Sequence, residues 1–208
     1  MKDDDAPKPD PGSGLTRRDF IKISGVGAAL PLALGPKMVH AAGEDVEVHG
    51  PGKVPVALNV NGKTLNAQLE PRVTLLDALR GEFNLTGAKR VCDRGECGAC
   101  TVLLEGKPVY ACMLLAVDAQ GKKITTIEGL TEGEALTPVM AAFVANDAQQ
   151  CGFCTPGVVM ATTHFLQQHP DATEDDIRRG LSGNFCRCGT YGGIRAVALA
   201  RKANEAQS

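Results

Sequence analysis

The 208-residue sequence has no tryptophan and only two tyrosines. Binding nucleic acid by base stacking needs aromatic side chains, so no nucleic-acid partner is expected. There is no basic excess to hold phosphates either, because the formal net charge is −2. No stretch of about 18 to 20 apolar residues runs uninterrupted by Gly or Pro, which argues against a stable membrane span. The Gly25-Val26-Gly27 run lies in the N-terminal leader and not after a strand, so it is no dinucleotide fingerprint. No acid–base constellation stands out, and no catalytic residue is expected. What the chain does have is eight cysteines and 24 glycines.

The first 41 residues have the order of a secretory signal: a polar start, a basic pair, an apolar run and small residues at a cleavage site. Arg17-Arg18 followed by Asp19-Phe20-Ile21-Lys22 resembles the twin-arginine export signal, which implies a periplasmic protein delivered already folded. Residues 42–53 form a Gly/Pro-containing linker.

Two unlike halves follow, over residues 54–130 and 131–208. In the first, Val56, Leu58 and Val60 alternate, Asn61-Gly62 turns, and Leu65, Ala67 and Leu69 alternate again: a hairpin. Thr74 with Asp77 starts a short helix that turns Leu75, Leu76 and Leu79 inward. Thr101–Leu104 and Val109–Met113 read as a second hairpin across Glu105-Gly106, and Ile124–Ile127 as a last strand. This order predicts a small mixed sheet with one crossing helix. In the second half the period becomes helical. Starts fall at Thr137-Pro138, Thr155-Pro156 and Thr173 with Asp176, and a fourth helix is expected from about Gly192 to Lys202. Four short helices predict a bundle.

The cysteines divide evenly between the halves. Cys92, Cys97, Cys100 and Cys112 have the C-x4-C-x2-C plus later Cys spacing of plant-type 2Fe–2S ferredoxins. One tight loop delivers three thiolates to a small cluster, and the strand Val109–Met113 supplies the fourth. Gly95 and Gly98 let backbone amides approach the sulfurs, and Arg90 and Arg94 read either as ordinary solvated surface residues or as a partial offset to cluster charge. Cys151 and Cys154 lie on a turn just before a helix start, where thiolate is favoured, and Cys186 and Cys188 flank Arg187 in a second Gly-rich loop. Disulfides are the default in an exported protein, although Cys186 and Cys188 are too close to pair comfortably. A four-cysteine zinc site and an iron–sulfur cluster are the other readings. None of the four histidines lies inside either set, which excludes a Rieske centre.

Taken together, Cys92-Asp93-Arg94-Gly95-Glu96-Cys97-Gly98-Ala99-Cys100, Gln150-Cys151-Gly152-Phe153-Cys154-Thr155-Pro156-Gly157 and Gly183-Asn184-Phe185-Cys186-Arg187-Cys188 resemble the small iron–sulfur subunit of molybdenum hydroxylases, the xanthine dehydrogenase and aldehyde oxidoreductase family. The resemblance implies an α+β chain: a β-grasp ferredoxin domain, then an all-α four-helix domain, each with one 2Fe–2S cluster. It implies a large partner subunit that carries molybdopterin dinucleotide, and usually a medium FAD subunit. In such proteins the positions of Gln150 and Cys188 contact the pterin of the partner. The chain would then relay electrons from molybdenum through the Cys151/Cys154/Cys186/Cys188 cluster to the Cys92/Cys97/Cys100/Cys112 cluster and on to FAD or another acceptor. Its substrate would be an aldehyde, by likeness to the exported branch, or else an N-heterocycle. A free-standing periplasmic electron carrier is the alternative. Where many relatives have Thr-Gly-Tyr after the last Cys, this chain has Gly189-Thr190-Tyr191-Gly192-Gly193, so no pterin contact is carried over to Thr190.

Overall fold

The computed structural model describes residues 50–205 apart from 132 and 134, and Lys22 before them. The expected export signal, Lys22 excepted, and most of the 42–53 linker therefore lie outside the described residues. His49–Ser208 is one compact unit, so both cysteine-bearing halves belong to the same body.

The first half is built around a five-stranded mixed sheet. β1 (Val54–Val60) and β2 (Lys63–Leu69) form the expected hairpin, with Val60 opposite Lys63. Asn61 and Gly62 both adopt positive φ, as a two-residue turn of this hand requires. Glu105 and Gly106 do the same between β3 (Thr101–Leu104) and β4 (Lys107–Tyr110). β5 (Lys123–Thr125) runs parallel to β1 and antiparallel to β3, giving the order β2-β1-β5-β3-β4. Thr74 accepts the Asp77 amide at 3.1 Å and starts α1 (Leu75–Asp77), which continues as a wider turn over Ala78–Glu82. Leu75, Leu76 and Leu79 are buried with Leu58 and Ile124. Each such side chain contributes about 1.5–3 kcal/mol. Surface pairs such as Arg72–Glu70 contribute about 1 kcal/mol at most, so helix-on-sheet packing holds this half together. This is the β-grasp arrangement.

Two strands are shorter than the sequence suggests. The strand expected over Val109–Met113 stops at Tyr110, and Ala111–Met113 is a 3-10 turn. The Ala111 amide still bonds the Cys100 carbonyl at 3.3 Å, the next position of the β3–β4 register, and the chain turns immediately after it. The last strand, expected over Ile124–Ile127, ends at Thr125. Beyond it the Asn61 side chain replaces a strand partner, accepting the Thr126 amide at 2.9 Å.

The second half has the four expected helices: α2 (Pro138–Ala145), α3 (Thr155–Gln168), α4 (Glu174–Gly180) and α5 (Tyr191–Glu205). Thr137 caps α2, and Thr173 with Asp176 forms a reciprocal capping box on α4. Val139, Phe143, Val158, Ile177, Leu181, Ile194 and Val197 fill the core between them. α3 begins one residue earlier than the Thr-Pro signal implies. Thr155 is already helical, and Cys154 occupies the cap position without a side-chain cap bond.

α3 lies against the first half at β3, and Gly157 makes this possible. A methyl group there would land on the Gly98 carbonyl oxygen and on Ala99 backbone, neither of which is a flexible side chain. Gly157→Ala is therefore expected to destabilise the fold by about 1–3 kcal/mol, measured by urea unfolding of the iron-loaded chain.

Candidate iron–sulfur sites

The loop over residues 87–100 brings three of the first four thiols to one place, and the 3-10 turn after β4 adds Cys112. Cys100 and Cys112 are part of the buried core, whereas Cys92 and Cys97 are half-exposed. The Arg94 and Glu96 amides point at the Cys92 sulfur from 3.5 and 3.4 Å. Burial pushes the Cys92 thiol up, but the Arg94 amide, the Cys97 thiol and the Glu96 amide together pull it down to about 7. Burial, with the neighbouring Cys112 and Cys97 thiols, pushes Cys100 up to about 12. Tyr110 senses all four sulfurs: burial raises its pKa first, then the charges of Cys100, Cys97, Cys112 and Cys92. Its hydroxyl therefore keeps its proton and donates it to the Gly183 carbonyl at 3.0 Å.

Of the second four thiols, Cys151, Cys154 and Cys186 line one cavity, and the Cys188 amide is directed at Cys186. Cys186 is buried, Cys154 half-buried, and Cys151 and Cys188 exposed. Burial, with the adjacent Cys186 and Cys151 thiols, pushes Cys154 up to about 12. Cys186 is held at about 7: burial pushes it up, but the Thr190 hydroxyl and amide, the Cys154 thiol and the Cys188 amide outweigh that push. Gln150, next to Cys151 in the chain, is exposed, as is Cys188.

The thiols in hydrogen-bonding contact are Cys92 with Cys97, Cys100 with Cys112, and Cys154 with Cys186, while Cys97 also acts on Cys100 and Cys151 on Cys154. Four thiols in a set suit two metal ions held side by side, two thiolates to each, as in a 2Fe–2S cluster. The Arg94 and Glu96 amides directed at the Cys92 sulfur and the small residues of both loops fit such a group as well.

The two sites meet. The Phe185 amide donates to the Cys97 carbonyl at 2.9 Å, so a residue next to Cys186 is hydrogen-bonded to a cysteine of the other set. Asn184, buried, donates from its side chain to the Gly98 carbonyl at 2.9 Å and reaches the Thr101 hydroxyl at 3.3 Å. Gly98 sits at φ +70, and a Cβ on it would strike Asn184 and the Gly183 carbonyl. A cavity of about 410 Å³ is lined jointly by Cys97, Cys151, Cys154 and Cys186, with Phe153 and Phe185 on its wall.

All eight cysteines singled out by spacing thus fall into two groups, as their order in the chain suggests. Three expectations need revision. Cys112 comes from a turn and not from a strand, because the strand ends at Tyr110 and a 3-10 turn follows. Cys154 is itself the cap of α3. Arg90 pairs with Asp77 on α1, so its charge faces the helix instead of the loop. Sequence reasoning gave no role to Asn184 or Tyr110. The only available signal was position: Asn184 lies within the second Cys motif, and Tyr110 two residues before Cys112.

A β-grasp half and a helical half, each presenting four thiols, define a two-cluster iron–sulfur electron carrier. The comparisons agree. A 2Fe-2S iron-sulfur cluster binding domain matches residues 58–126, and a 2Fe-2S binding domain matches 126–199. The chain is 43% identical over 198 residues to the aldehyde oxidoreductase iron-sulfur-binding subunit PaoA of Escherichia coli O157:H7, covering 88% of this chain and 86% of that one. Among solved structures, quinoline 2-oxidoreductase from Pseudomonas putida 86 superposes with a TM-score of 0.68 at 40% identity, over 74% of this chain and 99% of the matched one. Aldehyde oxidoreductase from Desulfovibrio desulfuricans ATCC 27774 gives 0.69 at 33% identity, over 74% of this chain and 17% of that one. The chain belongs to the family of iron–sulfur-binding small subunits of molybdenum hydroxylases. It is an electron-transfer subunit of an oxidoreductase complex and is not catalytic alone.

Two measurements probe the sites. Cys97→Ser should abolish the paramagnetic resonance signal of one reduced cluster, spare the other, and lower iron from about four to about two per chain. In the metal-free chain, Cys92 is half thiolate near pH 7 and Cys100 only near pH 12. Thiolate forms above the pKa, so iodoacetamide at about pH 7.5 should label Cys92 well before Cys100, as read by peptide mass spectrometry.

Proposed function

We propose that this chain is the exported electron relay of a periplasmic, aldehyde-oxidising molybdenum hydroxylase. Cys92, Cys97, Cys100 and Cys112 hold one 2Fe–2S cluster, and Cys151, Cys154, Cys186 and Cys188 the other. When bound, these clusters take up and release one electron each. The chain's own residues set the route. Gln150, Cys151 and Cys188 are each exposed, and the exposed Phe153, Phe185 and Tyr191 line one cavity with Cys151. An apolar surface around a polar centre suits a partner protein, here the molybdopterin-bearing large subunit, with Gln150 and Cys188 toward the pterin.

The observation that carries the reading is the 2.9 Å hydrogen bond from the Phe185 amide to the Cys97 carbonyl. It joins the two ligand sets through a short run of covalent bonds and a single non-covalent step. From Cys97 the way out passes Gly95, beside which the exposed Met113 packs. That face suits a medium FAD subunit or another acceptor, in a heterotrimer.

Aldehyde is favoured over an N-heterocycle because the match to PaoA extends further than residues 50–208 can supply, whereas the nicotine 6-hydroxylase small subunit of Paenarthrobacter nicotinovorans matches over 71% of this chain. The extra similarity reaches into the residues before 50, where the apolar run of the expected export signal lies. Export is tested by Arg17→Lys with Arg18→Lys, which should leave the chain in the cytoplasmic fraction; unchanged delivery to the periplasm overturns it.

The relay is tested by tagging the chain in its native host. A molybdenum subunit should co-purify and oxidise aldehydes, whereas the chain alone should be inert. Purification as a lone, fully loaded carrier would instead favour a free-standing role. Gln150→Ala should keep its iron content but slow cluster reduction by aldehyde, measured by stopped-flow bleaching of the cluster absorbance.

A further inference from the structure

Cys186 is gripped at both ends by the two residues that begin the last helix. The Thr190 hydroxyl lies 3.2 Å from the Cys186 sulfur, and the Tyr191 hydroxyl accepts the Cys186 amide at 2.8 Å. The Thr190 amide is aimed at the same sulfur. Thr190 is only 8% exposed, and its carbonyl accepts the Ile194 amide at 3.1 Å, which ties it to the first turn of α5. Its hydroxyl is thus fixed in a buried position, where solvent competes little for the bond.

Either atom of the Thr190–Cys186 pair can donate in a free thiol. A metal-bound cysteine is a thiolate with no proton to give. In the loaded protein the direction is therefore settled: Thr190 donates and sulfur accepts. A hydrogen bond donated to a ligating thiolate stabilises added negative charge, and so favours the reduced state over the oxidised one.

We infer that Thr190 is a positioning residue that raises the reduction potential of the second centre through the Cys186 sulfur, making that centre the readier acceptor of electrons from the partner subunit. One electron enters, no bond forms or breaks in this chain, and the hydroxyl proton stays on Thr190. The inference rests on the relay reading above.

The test is a redox titration, followed by electron paramagnetic resonance, of the iron-loaded full chain carrying Cys97→Ser, so that only the second centre is seen. Adding Thr190→Val should shift its midpoint to a more negative value with two irons retained per chain, about the content of one binuclear site. Thr190→Ser should restore it. An unmoved midpoint in the valine variant overturns the inference. Where valine prevents loading, Thr190→Ala is titrated in its place. Failure of both to load, while Thr190→Ser loads fully, assigns the hydroxyl to holding the site together and also overturns the tuning role. An unmoved midpoint would leave the relay intact, because the second centre's signal would still be present. Absence of any cluster signal in the unmodified loaded chain would sink the relay itself.

Discussion

Everything in this molecule depends on the contact between two loops, Cys97-Gly98 on one side and Gly183-Asn184-Phe185 on the other. Polar backbone buried at such a junction must find partners or pay about 1–3 kcal/mol for each group left bare. Here the partners come from across the junction. The Phe185 amide bonds Cys97, the Asn184 side chain bonds Gly98, and the Tyr110 hydroxyl bonds Gly183. Only glycine fits at positions 98 and 183, because a Cβ on either would strike the opposing loop or its tyrosine. The thiols are thus held at fixed relative positions by hydrogen bonds between the segments that carry them.

Burial and amide placement divide each thiol set into unlike members. In the first set the outer Cys92 is eased toward thiolate by donated amides, while Cys100 sits in the apolar core, where a lone thiolate is strongly disfavoured. The second set repeats the contrast between Cys186 and Cys154. A buried thiolate of this kind is tolerable once its charge is shared with a metal. The fold is therefore arranged for a charge that only an inorganic partner can neutralise.

Much of this was legible in the sequence. The alternation in β1, the Asn61-Gly62 turn and the Thr74 and Thr173 caps are local devices, and local devices read directly. The Cys spacings carry the metal chemistry because a tight loop around a small cluster leaves little freedom. What escaped was long-range. Cys112 sits on the 3-10 turn that follows β4, and Arg90 is drawn to α1 by Asp77. The Asn184–Gly98 bond spans 86 positions, and no periodicity or motif specifies such a contact. Asn184 stood in plain view inside a recognised motif, and only three-dimensional proximity gives it a purpose.

Gly157 has a consequence for how such a chain can diversify. With α3 resting on the Gly98 carbonyl, the helical half cannot be detached as a cassette or recombined with an unrelated ferredoxin without leaving both surfaces unmatched. Inheritance must then treat the pair as indivisible, and variation is confined to the outer faces, where other subunits are chosen.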